Sequence, residues 1–141
     1  MSAVAVAPPG SPPLRRKGMP PRVTVVAAVR DAQETVAQAY VDIDRALRYL
    51  PAGTGAEILF VDCGSEDRTA ISLARYGAKD ARLRHLALPR GTSAAAALRR
   101  GCAEASGEAV IVVPAGARLH PRALASLLPS LRSGPGPVAR R

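Results

Sequence analysis

The sequence predicts an α/β fold, a three-layer sandwich in which a mostly parallel β-sheet lies between two layers of helices. Four short runs rich in Val, Ile and Leu alternate with longer segments whose apolar residues recur every three or four positions. Alternation of this kind is typical of strand–helix–strand crossovers, which place successive strands parallel. A length of 141 residues fits one domain, and an aromatic content of 3% predicts a core of small aliphatic side chains.

The first strand and the first helix have strong patterns. The strand is predicted at Val23–Val29, a run of β-branched and small residues. The helix is predicted at Gln33–Leu50, where spacings of three and four place one set of apolar residues on a single face. This set comprises Val36, Tyr40, Ile43, Leu47 and Leu50. Pro51 and Gly53 end the helix.

The second and third strand–helix pairs follow in the same order. Strands are predicted at Glu57–Asp62 and Arg82–Leu88, and helices at Asp67–Tyr76 and Ser93–Ala105. Ser65 is a candidate N-cap for the second helix, which Gly77 is predicted to stop, and Gly107 follows the third.

The last predicted pair is a strand at Ala109–Val113 and a helix that begins at Pro121 and continues through Leu131. Proline favours the first helical position. Four such parallel strands predict a Rossmann-like half-domain. Ligands of such folds bind beyond the carboxyl ends of the strands. The site is therefore expected at residues 30–34, 62–67, 89–93 and 114–118.

The two ends of the chain differ from the middle in composition. Proline and glycine are frequent in residues 1–21 and 133–141, so we expect a disordered basic arm, a folded domain over 22–132 and a disordered basic tail. The formal net charge is +9, and residues 1–30 and 109–141 each hold five basic residues and no acidic one. The middle segment carries ten bases and eleven acids.

Several classes of protein are excluded by the sequence. Cys63 and Cys102 are isolated, which indicates reduced thiols and no zinc or redox motif. The apolar run at residues 3–7 precedes the basic residues, an order that does not fit a signal peptide, and no run is long enough for a transmembrane helix. A cytoplasmic location is expected. Neither a hydrolase triad, a Walker loop nor a specific nucleic-acid motif occurs.

One segment at a strand end carries a resemblance to a known family. Val61–Thr69 reads Val-Asp-Cys-Gly-Ser-Glu-Asp-Arg-Thr and resembles the Val-Asp-Asp-Gly-Ser-x-Asp-x-Thr segment of family 2 glycosyltransferases, with Cys63 in place of the second Asp. The first strand also matches that family, which continues with Pro-x-Arg/Tyr-Asn-Glu. Here Ala28, Asp31 and Ala32 replace three of those residues, and Arg30 keeps its type. The resemblance implies a GT-A fold and nucleotide binding by Arg30, Asp31, Asp62 and Ser65.

The resemblance extends to the segment that binds metal in the family. Gly107–Pro121 is similar to Gly-Glu, a strand, Asp-Ala-Asp-Asp-x-Leu-His-Pro, and that family's aspartates bind a divalent cation bridging the donor diphosphate. Pro114, Gly116 and Ala117 stand at the three acidic positions, so we expect no metal cofactor and assign no catalytic residue.

The resemblance and its departures together predict a family 2 glycosyltransferase-like protein, truncated relative to the family and without unaided transferase activity. Such a pseudoenzyme could bind a nucleotide or nucleotide-sugar, or associate with itself or a protein partner at an exposed sheet edge. One alternative is a metal-independent transferase completed by a partner chain, with an arginine such as Arg90, Arg99 or Arg100 meeting the diphosphate; a solvated helix face is the preferred interpretation of those arginines. Another alternative is a protein that binds nucleic acid or anionic surfaces through its basic ends.

Overall fold

The structure, a computed structural model, describes residues 4–6, 22–123 and 126. Its strands are β1 (Val4–Val6), β2 (Val23–Val29), β3 (Ala56–Asp62), β4 (Leu83–Ala87) and β5 (Ala109–Val113). Its helices are α1 (Val36–Leu47), α2 (Thr69–Lys79) and α3 (Ala94–Glu104). The predicted alternation of strands and helices is confirmed, and the bounds of β2 and β5 agree residue for residue.

The strands form one five-stranded sheet in the order β1-β5-β2-β3-β4. Strands β5, β2, β3 and β4 are parallel, and β1 pairs antiparallel with β5 in the register Val4 to Val112. The α/β prediction with a mostly parallel sheet is therefore confirmed.

Two apolar layers cover the central strands. One face of the sheet packs on α1 and α2 through Ile43, Phe60 and Leu73, each 1% exposed or less. The other face packs on α3 through Val26, Val61 and Ala97. An added Cβ at Gly101 would clash with Val26 and Val61, so this glycine lets α3 lie directly on the sheet. The sheet is thus enclosed by helices on both faces, as the three-layer prediction requires.

Polar side chains fasten the amino ends of the strands. Glu57 is 6% exposed and accepts hydrogen bonds from Thr24 Oγ1, Arg84 Nε and the backbone N–H of Ser106 at 2.8–3.0 Å. Burial raises the pKa of Glu57, but these hydrogen bonds outweigh it, so the pKa lies below its usual range. This network joins β2, β3, β4 and the turn after α3, at the end of the sheet away from the predicted site.

The structure corrects three of the sequence-based predictions, one in the predicted arm and two at helix α2. Val4–Val6 form β1 inside the predicted disordered arm, because alternating Val and Ala suit an edge strand and β5 offers an unpaired edge. Ser65 does not cap α2, which begins four residues later at Thr69. The Asp67 carboxylate accepts the Thr69 N–H at 2.9 Å in a turn that delays the helix.

Helix α2 also continues through Gly77 to Lys79, although Gly77 was predicted to stop it. A Cβ at Gly77 would make only an ordinary contact, 3.4 Å from the Leu83 carbonyl oxygen, and the φ of Gly77 is not positive, so this glycine does not end the helix. Pro121–Ala123 begin the predicted fourth helix, whose remainder lies largely outside the described residues, as do most of the predicted arm and the whole predicted tail. In the described part of the chain, none of the helices combines the length and hydropathy needed to span a bilayer.

Candidate functional site

The loops that follow β2 and β3 are joined by hydrogen bonds between side chains and backbone. The Asp31 N–H donates to Ser65 Oγ at 2.8 Å, and the Glu66 N–H donates to Asp31 Oδ1 at 2.8 Å. Asp31 has a φ of 45°, a left-handed conformation that Asp tolerates better than most residues. These two contacts hold Asp31 and Ser65 against each other at the carboxyl edge of the sheet.

A second group of contacts extends the connection toward α2. The Ala32 N–H donates to Thr69 Oγ1 at 2.8 Å, and the Gln33 N–H donates to Asp67 Oδ2 at 3.0 Å. Gln33 Oε1 accepts the Arg68 N–H at 3.0 Å. Backbone groups of one loop are thus satisfied by side chains of the other, which gives the two loops a single arrangement.

Asp62 lies at the tip of β3 beneath these loops. Its side chain is buried, and Oδ1 accepts hydrogen bonds from the Ser65 N–H at 2.9 Å and the Ser65 hydroxyl at 2.6 Å. Within residues 22–123, Oδ2 accepts no hydrogen bond.

The loop after β4 closes onto the loop after β3 at Gly64. Gly64 has a φ of 77°, and an added Cβ there would clash with the backbone of Arg90. The Arg90 side chain forms an ion pair with Glu66. The glycine of the Val61–Thr69 motif therefore serves close packing between neighbouring loops.

A cavity of about 310 Å³ opens between the end of β2, the beginning of α1 and the loop after β5. Arg30 and Asp31 line one side, and Pro114, Gly116 and Ala117 line the other. Asp62 and Ser65 do not line it. The four predicted nucleotide-binding residues are therefore neighbours, but only Arg30 and Asp31 face this cavity.

An ion pair fixes the wall of the cavity formed by the loop after β5. Arg118 donates to the buried carboxylate of Asp42 on α1, with Nε to Oδ2 at 2.6 Å and Nη2 to Oδ1 at 3.1 Å. Gln38 Nε2 donates to the same carboxylate at 2.8 Å. The Arg118 guanidinium holds the pKa of Asp42 below its usual value, so the carboxylate stays ionised at neutral pH.

The arginines around the site differ in whether their charge is already matched. Arg118, Arg90 and Arg100 have carboxylate partners in Asp42, Glu66 and Glu104. Arg30 has no hydrogen bond or ion pair with any residue in 22–123. Two arginines of the described residues, Arg30 and Arg118, line the cavity, whereas Arg90, Arg99 and Arg100 do not. Because Arg118 is paired with Asp42, Arg30 is the one whose charge is left for a ligand.

The positions that the resemblance assigns to metal ligands are on the cavity wall. Pro114, Gly116 and Ala117 supply no side-chain oxygen, and divalent Mg or Mn ions prefer carboxylate and carbonyl ligands. No group of three or more His, Cys, Asp or Glu residues suitable for a metal ion occurs within the described part of the chain. These three positions therefore offer a divalent cation no carboxylate ligand.

Sequence reasoning missed Gln33, Asp67, Thr69 and Asp42 as residues that shape the site. Asp67 and Thr69 stand in the matched motif, and their spacing is the signal for a turn that precedes a helix. Asp42 gives no such signal, because its partner Arg118 is 76 residues away. His120 accepts the Arg122 N–H at 3.3 Å through Nδ1.

The sequence profile of the family described as "Glycosyl transferase family 2" matches residues 25–139, which include the whole site. The chain belongs to glycosyl transferase family 2. No curated protein sequence matches it. A solved structure with a similar fold is the mannosyltransferase PcManGT from Pyrobaculum calidifontis in complex with GDP-Man and Mn²⁺, with a TM-score of 0.54 and 23% identity.

The match to the mannosyltransferase covers 74% of the family 2 chain and 28% of the mannosyltransferase. At this identity the likeness shows a shared GT-A fold. Together with the family match it confirms the resemblance seen in the sequence. The alternative of a protein that binds nucleic acid or anionic surfaces depends on the basic arm at 1–21 and the basic tail at 133–141, of which the structure describes only residues 4–6.

Proposed function

We propose that this family 2 glycosyltransferase domain binds a nucleotide or nucleotide-sugar at the carboxyl edge of its sheet without a divalent cation, and has no transferase activity unaided. One observation carries the proposal. Pro114, Gly116 and Ala117 occupy the aspartate positions of the family on the cavity wall, in the same cavity as Arg30, which forms no hydrogen bond or ion pair with any residue in 22–123.

Two carboxylates support recognition of the nucleoside. Asp62 is held rigidly by Ser65 and keeps Oδ2 for a donor on a base or ribose. Asp31 is fixed by Glu66 and the Ser65 hydroxyl at the rim of the cavity. Groups that are positioned before a ligand arrives lose little conformational freedom on binding, which favours affinity.

We assign to Arg30 the role of balancing the negative charge of a diphosphate. A guanidinium can donate two parallel hydrogen bonds to phosphate oxygens and supplies one positive charge that a divalent cation would otherwise provide. Arg118 is engaged by Asp42 and contributes less. Binding by this arrangement is expected to depend on ionic strength and not on Mn²⁺.

The experiment is calorimetric titration of the full chain with UDP, GDP and their sugar conjugates, with Mn²⁺ or with EDTA. We expect binding that is equal in both conditions. Arg30→Ala should weaken it about tenfold or more, as loss of a charge-assisted hydrogen bond of roughly 1.5–3 kcal/mol requires. Arg99→Ala, at an arginine outside the cavity, is the matched control. Binding only with Mn²⁺, or no binding at millimolar ligand, contradicts the proposal.

A gain-of-function variant tests the assignment of the lost metal site. Gly116→Asp together with Ala117→Asp restores two carboxylates, and Asp tolerates the left-handed conformation at Gly116, whose φ is 80°. We expect nucleotide binding by this variant to become stronger on addition of Mn²⁺. The wild-type chain should show no such change. If Mn²⁺ leaves nucleotide binding by the variant unaltered, residues 116 and 117 are not the positions of the lost metal ligands.

Transfer activity is tested with the same donors. The purified chain is expected to release no sugar from the nucleotide-sugar and to modify no acceptor. Measurable transfer by the chain alone refutes the inactive part of the proposal and leaves the binding part standing.

A further inference from the structure

The two edges of the sheet are protected in different ways. Edge strand β4 carries Arg84 and His85 in its centre, and charged or polar residues on an edge discourage pairing with other chains. Arg84 is also anchored to Glu57 Oε2 and to the Glu104 carbonyl, at 2.8 and 2.7 Å. Strand β4 is therefore a poor template for a further strand.

Strand β5 has no such protection in its own sequence. It reads Ala-Val-Ile-Val-Val, with no charged residue, proline or glycine. Four of its five residues are 9% exposed or less, so the strand is firmly held in the sheet. A rigid, apolar, β-branched edge is the type of strand that recruits another chain.

The cover for this edge is β1. Three residues, Val4–Val6, pair with Val110–Val112, and in the described part of the chain β1 pairs with no other strand. Sixteen residues, 7–22, connect it to β2. A short strand on a long connection is held by few ladder hydrogen bonds, and its loss would leave the outer N–H and C=O groups of β5 unpaired.

We propose that the outer edge of β5 is an association surface for a second copy of this chain, and that β1 masks it. The partner strand is β5 of the second copy, because the edge already accepts an antiparallel strand, and antiparallel pairing of identical strands satisfies two-fold symmetry. Pairing centred on Ile111 joins the two sheets into one eight-stranded sheet, with β4 at both ends. This inference does not depend on nucleotide binding.

The test uses the full chain with Val4, Ala5 and Val6 all replaced by proline. At least one of these prolines removes an N–H that β1 donates to β5, whichever way the strand is pleated. The control is Ala5→Val, which keeps the capacity to form a strand. Mass is measured by light scattering after size exclusion, and folding by circular dichroism.

We expect the wild type and Ala5→Val to be monomers and the proline variant to have twice the mass. A synthetic peptide of residues 1–9 should return the proline variant to a monomer by covering β5 again. Adding Val112→Lys, which places a charge on the edge, should do the same. If the proline variant fails to fold, hydrogen exchange is measured instead on the control chain, Ala5→Val, with Val112→Lys added. Those amides among Val110–Val112 that face β1 should lose protection because β1 pairing is weakened, while those that face β2 should keep it.

The proposal is overturned by a wild-type chain that is already a dimer, or by a folded proline variant that stays monomeric. A dimer that persists with Val112→Lys and with the peptide would also overturn it, because such a dimer forms elsewhere. Unchanged protection of every amide in residues 110–112 in the hydrogen-exchange experiment would also overturn the proposal.

Discussion

Gly64 shows how one residue determines the packing of two loops at the site. Its φ of 77° lies in the left-handed region, and the position where a Cβ would stand is occupied by the backbone of Arg90. The motif around Asp62 therefore requires glycine for two separate reasons. Only the first, a sharp turn, was foreseeable from the sequence; the second needs a neighbour 26 positions away.

Gly64→Ala is expected to destabilise the fold by roughly 2–4 kcal/mol, which combines left-handed strain with a backbone clash. Gly53→Ala is the matched control, since Gly53 has a φ of 85° but no atom near its missing Cβ. The control should cost only the strain, about 1–2 kcal/mol. Urea unfolding monitored by circular dichroism measures both values. Equal losses in the two variants would show that the contact with Arg90 contributes nothing.

At the scale of elements, the ion pair between Asp42 and Arg118 connects α1 to the loop after β5. Helix α1 thereby determines the position of the wall that carries Pro114, Gly116 and Ala117. The same pairing engages the guanidinium of Arg118, which would otherwise be free to meet the proposed nucleotide. The charge of the cavity is thus set by a helix residue that no ligand needs to touch.

Asp42→Asn is expected to release Arg118 and loosen the loop after β5. The midpoint of thermal unfolding should fall by a few degrees. Nucleotide affinity should change as well, because a freed guanidinium lines the cavity. Glu104→Gln, which removes an exposed pair with Arg100 on α3, is the control and should leave affinity unchanged. Calorimetric titration at low and moderate salt distinguishes the two variants.

The fold could be predicted further than the site. Periodicity and turn residues predicted β2, β5 and the positions of α1 and α3, because local patterns determine which face of an element is buried. The site depends on contacts between distant segments, such as Asp31 with Ser65 or Asp42 with Arg118, which no local pattern encodes. Strand β1 was missed because its alternation covers only three residues beside a proline-rich stretch.

At the scale of the whole molecule, ionised carboxylates hold together a chain with an excess of positive charge. The Arg82 guanidinium beside Asp80 holds the pKa of that carboxyl well below its usual range, and Arg82 also lowers the pKa of Asp44. The pKa values of Asp42 and Glu57 are lowered as well. Each carboxylate therefore binds its proton less readily in the folded chain than in the unfolded one.

Folding stability should accordingly be level near neutral pH and fall in acid. A lowered folded pKa contributes stability that is fully present above the unfolded value, about 3.9 for Asp and 4.3 for Glu, and is lost as the pH drops below it. Urea midpoints measured between pH 7 and pH 3 test this expectation. Asp80→Asn should be less stable at pH 7 and lose less on acidification. A urea midpoint that rises as the pH falls below 4 would contradict the lowered pKa values of these carboxylates.

The two cysteines differ in how readily a thiol reagent can reach them. Cys63 is 3% exposed beneath the loops after β2 and β3, where its N–H donates to the Val29 carbonyl at 2.9 Å. Burial raises the pKa of its thiol, and the Asp62 carboxylate adds to that effect. Cys102 is half-buried on α3, and burial raises its pKa too.

Since the thiolate is the reactive form, a disulfide reagent should modify Cys102 first and reach Cys63 only when the loops open. The rate at Cys63 would then report loop opening directly, and a bound nucleotide should slow it while leaving the rate at Cys102 unchanged.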